Sequence, residues 1–176
     1  MEMPNYGYLG SKNMSNEDLV EFLLTQAERR YGARSSGVTF EVRDSGPRGA
    51  LDSRWNADTN HVIIRLPKGD ESDRVGQLAQ EAIHVLSPAT SKEAKHFDRG
   101  LATLVAVRCF KYPVPDSQNY RDSFEAVRLL DDFCENVIKQ LREVQPRVAL
   151  IGEDDILYAC RQFPPETAHF LVQPIY

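Results

Sequence analysis

Tryptophan occurs once, histidine four times and cysteine three times in 176 residues, and basic residues (21) are outnumbered by acidic ones (26). Each scarcity excludes something. Cys109, Cys134 and Cys160 are odd in number and form no CxxC pair, so neither a disulfide framework nor a zinc knuckle is expected, and reduced thiols in a cytoplasmic protein fit best. A net charge of -5 supplies no general attraction for phosphate backbones or anionic lipid, so nucleic acid and membranes are not expected partners. No apolar run approaches the roughly 18 residues of a membrane span. The segment Met1 to Asn13 has neither the basic nor the apolar stretch of an export leader, so none is expected. GxGxxG, P-loop and GxSxG patterns are missing, which leaves nucleotide and serine-hydrolase chemistry without support.

What is present has the balance of a globular chain, 41% hydrophobic and 27% charged, and its length suits one domain over residues 1–176. Residues 1–13 read as an extended arm. Ser15 or Asn16 opens a helix that carries Glu17 and Asp18 at its positive end and stops at Gly32. Alternation marks strands at 38–42 and 61–66, with an edge strand around 49–54 in the connection that holds Trp55 nearby. A second helix starts near Ser72, with Leu78, Ala79, Ala82 and Leu86 on its apolar side. At about 100° per residue, Gln77, Gln80, Glu81 and His84 gather opposite. Phe97 to Phe110 reads as a buried helix. One long helix is expected over 119–144, then a short helix at 153–162 and an irregular tail from 164 to 176. The heptad-like seam of helix 119–144 could join two subunits as a homodimer, but Phe124, Phe133 and Ile138 widen that face beyond a coiled-coil stripe and favour packing on its own core.

The segment Gln80-Glu81-Ala82-Ile83-His84 has the form of HExxH with its first histidine replaced. In HExxH, two imidazoles four residues apart hold zinc from one helix face, and the Glu activates a metal-bound water. The order helix, strands, motif helix, buried helix, together with His96-Phe97-Asp98-Arg99-Gly100-Leu101-Ala102-Thr103, resembles the compact gluzincin metallopeptidases. The resemblance covers roughly residues 16–110. It implies an α+β, zincin-like fold in which Glu81 matches the general base and His84 the second histidine ligand. Arg99 stands where the family has its third ligand, a glutamate.

Two of three family ligands are therefore absent, since a glutamine amide is a poor zinc ligand and a guanidinium is none. The expectation is a protein without peptidase chemistry that binds a protein or peptide in a cleft lined by Gln77, Gln80, Glu81, His84 and Arg99, with no cofactor. Arg99 is expected to pair with Glu81 in place of the zinc charge. The alternative is a metal-dependent hydrolase holding zinc on His84, His96 and Asp98, with Glu81 as base. Against it, His96 and Asp98 also suit the start of a helix. The second ExxH spacing, Glu166 to His169, would fit a di-iron bundle, but the strands interrupt any four-helix arrangement.

Overall fold

The structure is a computed structural model that describes residues 14–46, 52–67, 74–110 and 112–175. The expected arm at 1–13 lies outside the described residues, as do the start of the motif helix at Ser72 and Tyr176. Within them the chain is α+β, with seven helices around a three-stranded sheet.

Helix α1 (Asn16–Tyr31) begins where the sequence says it should, because Ser15 Oγ accepts the Asp18 backbone N–H at 3.1 Å. It ends at Gly32, whose φ of 90° is one that side-chain-bearing residues avoid. Strands β1 (Thr39–Gly46), β2 (Asp52–Asn56) and β3 (His61–Pro67) form a sheet in the order β1-β3-β2. β3 is central, parallel to β1 and antiparallel to β2, so the chain crosses from one edge to the other before turning into the middle. Val62, Ile64 and Leu66 point from β3 into the core, and alternation places Ser53 and Trp55, their neighbours on β2, on the same face.

The sheet rests on α1 and α2 (Arg74–Leu86), and α2 packs between α1 and α3 (His96–Phe110). Helix α4 (Gln118–Phe133) covers α3 through Gly100, where a Cβ would lie 2.2 Å from the Ser123 carbonyl oxygen. Only glycine permits that approach.

The single helix expected over 119–144 is two. α4 ends at Cys134, Asn136 adopts φ 61°, and α5 (Val137–Val144) sets off anew. Most of the seam packs inside the molecule, since Val127, Leu130, Val137 and Leu141 are buried, while Val144 at its end is exposed. A disulfide joins Cys134 at this break to Cys160 at the end of α6 (Glu153–Ala159), correcting the expectation of free thiols. The inference of a cytoplasmic protein loses that support. Among the described residues, no helix is long and apolar enough to cross a membrane.

The tail is also more ordered than expected. Pro165 opens α7 (Pro165–Leu171), which buries Ala168 and Leu171. Beyond it, Lys95 bridges Pro174, and Ile175 donates its N–H to Ala94 O at 3.0 Å.

Arg142 on α5 ties these layers together. Its guanidinium, 2% exposed, donates to the carbonyls of Tyr31, Gly32, Ala33 and Leu86 at 2.7–3.0 Å and to Pro146 at 3.3 Å. Helices end with unpaired carbonyls and a partial negative charge. One cation here satisfies the ends of α1 and α2.

Candidate functional site

Helix α2 is covered on most sides, by α1, α3 and the sheet, and this changes the environment of its polar stripe. Glu81 is only 7% exposed, whereas Gln77, Gln80 and His84 are half-buried. Glu81 and His84, three residues apart, share one face and border a cleft of about 240 Å³. Asp52, Ser53 and Trp55 on edge strand β2, with Val62 behind them, form the opposite wall. The loop from α2 to α3 closes one end through Ala89, Thr90, Ser91 and Ala94.

That loop is held firmly. Arg147 donates to Pro88 O at 3.0 Å and pairs with Glu93 at 2.7 Å, while its guanidinium sits 4.4 Å over the Trp55 ring. The Thr90 backbone N–H, with its hydroxyl and Arg147, holds the Glu93 carboxyl below its ordinary range. Ser87 Oγ accepts the Val148 N–H at 2.7 Å, and Lys95 Nζ reaches Ile151 O at 2.9 Å. Trp55 is fixed from its other end by Nε1 donating to Asn60 Oδ1 at 3.1 Å. It is an anchored wall of the cleft.

Of the residues singled out in the sequence, Glu81 and His84 line the cleft; Gln77 and Gln80 do not. Arg99 faces the other way, with its guanidinium 4.8 Å over the Tyr120 ring on α4. The expected Arg99–Glu81 pair is not formed. Glu81 has no hydrogen bond or ion pair among the described residues, and its Oε2 is sealed from solvent.

His96 and Asp98 start α3. Asp98 accepts the Lys95 backbone N–H at 2.9 Å, closing the first turn as an acidic residue does there. Burial pushes its carboxyl up to about 6, against the opposing pull of that N–H and of His84 and Lys95. The His96 ring meets Ser123 Oγ at 2.8 Å through Nδ1 and stacks on Phe170 at 4.2 Å. Burial, and then the Arg99 charge, holds His96 below its ordinary value. Near the surface, His169 contacts Glu153 at 2.9 Å.

Comparison with known proteins supplies no family. No protein-family model matches the chain, and neither a curated protein nor a solved structure matches it. The zincin-like reading rests on the motif residues and their surroundings.

A zinc ion does not fit the donors present. Gln80 offers a neutral amide, Arg99 is a cation turned toward α4, and His96 is engaged by Ser123 and Phe170. Among the described residues no three His, Cys, Asp or Glu side chains are grouped to hold a metal. Sequence reasoning missed Ser53, Thr90, Ser91, Arg142 and Arg147. These are common polar residues outside any motif, brought to the cleft or the helix ends only by packing.

Proposed function

We propose that the chain is a peptide- or protein-binding module on a zincin-like frame, without peptidase chemistry. The observation that carries this reading is the position of edge strand β2 along a cleft whose other wall is the motif helix. An edge strand offers main-chain N–H and C=O groups to an extended partner, and side-chain pockets beside it then select the sequence. Glu81 and His84 occupy the place where such a pocket would lie. Among the described residues no three metal-ligating side chains converge, which favours binding over metal-dependent hydrolysis.

The test is a titration of the isotope-labelled full chain with blocked extended pentapeptides, read by amide chemical shifts. Shifts concentrated at 52–56 and 81–84 are expected, with the peptide recovered intact. Shifts elsewhere, or none at millimolar peptide, would reject the reading. So would stoichiometric zinc by elemental analysis together with peptide cleavage that is lost in Glu81→Gln.

A further inference from the structure

Around the cleft, each described carboxylate but one has a partner. Asp52 meets Arg54 Nε at 3.0 Å and Arg65 Nη1 at 3.6 Å through Oδ2, while its Oδ1 is buried without a hydrogen-bond partner. Glu93 is held by Arg147 and by Thr90. Asp98 accepts the Lys95 N–H and lies within the electrostatic reach of His84. Glu81 alone lacks a partner on either oxygen: it is more than nine-tenths buried, borders the cleft, and receives no hydrogen bond or cation from the described residues.

A buried carboxyl oxygen without a hydrogen-bond partner is costly, and a ligand that brings N–H donors and positive charge supplies what it lacks. The rest of the cleft narrows the choice. At about 240 Å³ it is smaller than the roughly 300–1,000 Å³ of typical small-molecule sites, so it suits a single side chain or chain end. Val62, Trp55, Ala89 and Ala94 give it an apolar lining. Lysine and arginine carry apolar stems that lie on such surface while the charged head finds a carboxylate. Among the described residues no three donors are grouped there to hold a metal ion.

We propose that Glu81 makes this cleft a receptor for an organic cation, a primary ammonium or guanidinium group presented by a peptide. The inference rests on the peptide-binding reading and adds what the pocket selects. Two sources share the chemistry, a basic side chain and a free amino terminus, and the test separates them.

The experiment titrates the full chain with blocked pentapeptides that differ only at the central position, lysine, arginine, norleucine or glutamate. An unblocked norleucine peptide and Nα-acetyl-lysine amide are added as further probes. Lysine and arginine peptides are expected to bind at least about tenfold more tightly than norleucine, the range of a charge-assisted hydrogen bond. In Glu81→Gln that preference disappears. A Glu81-dependent gain for the unblocked norleucine peptide would instead assign the cation to an amino terminus, and also supports the proposal. Equal binding of lysine and norleucine peptides in the unaltered chain, with no gain for the unblocked peptide, overturns the cation inference while leaving peptide binding intact. This comparison does not depend on the variant folding. Binding of Nα-acetyl-lysine amide without any peptide supports the cation site and removes the strand-addition reading. No shift with any probe overturns both.

Discussion

A single side chain, Arg142, closes the carbonyl ends of α1 and α2, so its removal leaves several buried acceptors at once without a donor. Burial presses its guanidinium down to about 10, with Glu28 opposing, so it stays charged at neutral pH. Arg142→Met keeps most of the apolar stem but leaves several buried carbonyls without a donor. A loss of about 3–5 kcal/mol in denaturant unfolding is expected, as when a buried charged partner is removed. A change under about 1 kcal/mol would mean that water or other donors replace it.

Asp98 makes a prediction with the opposite sign. Its carboxyl titrates near 6 in the folded chain against an ordinary 3.8, so the folded state holds the proton more tightly. Stability from this group is fully present below pH 4 and is lost as pH rises through about 6. The difference corresponds to roughly 3 kcal/mol at neutral pH. Asp98→Asn keeps an acceptor for the Lys95 N–H and removes the charge. It should gain roughly 1–3 kcal/mol over the unaltered chain at pH 8, after allowance for the lost helix-dipole attraction, and nothing at pH 3.5. Lower stability than the unaltered chain at pH 8 would show that the charged cap outweighs its burial.

Among the elements, the α3–α4 contact is the most exacting. Gly100 sits under the Ser123 backbone, so a methyl group there must push two helices apart. Alanine is worth up to about 1 kcal/mol more than glycine inside a helix, but overpacking against rigid backbone typically costs about 1–3 kcal/mol. Gly100→Ala should therefore destabilise the chain in urea unfolding, and a gain in stability would disprove the close approach. The same contact explains why the Gly-Leu-Ala-Thr start of α3 reads as a distinctive signal: the glycine is there for helix packing, whatever the ancestry of the motif.

The break between α4 and α5 shows where element-level reading ran out. Apolar spacing continues across 127–144, and periodicity therefore joins two helices that Asn136, with φ 61°, separates. Similarly, Pro164 and Pro165 suggested an irregular tail, whereas a proline in the first turn of a helix is well tolerated and α7 follows.

At the scale of the whole molecule, the disulfide between Cys134 and Cys160 ties the α4–α5 break to the end of α6 across 26 residues of chain. Loop-closure entropy for that length corresponds to roughly 3–4 kcal/mol. Treatment with reductant, or paired Cys134→Ser and Cys160→Ser substitution, should lower unfolding stability by about that amount without altering secondary structure by circular dichroism. A chain equally stable with and without reductant would count against the bond. The tail acts on the same scale, since Pro174 and Ile175 pair with the Ala94–Lys95 segment that walls the cleft. None of its described residues lines the cleft, and through these pairs it supports the wall.

Local chemistry sufficed for the first helix, the strands, the motif helix and the α+β class, because capping, alternation and helical spacing act over a few residues. The sharing of one helix face by Glu81 and His84 is equally local, a consequence of their three-residue separation. Packing alone decided that Arg99 turns to Tyr120 and away from Glu81, that His96 is drawn to Ser123 and Phe170, and that Arg142 finds the carbonyls of helices over fifty residues away. Those outcomes depend on which surfaces meet in three dimensions, and neither residue type nor spacing along the chain specifies that.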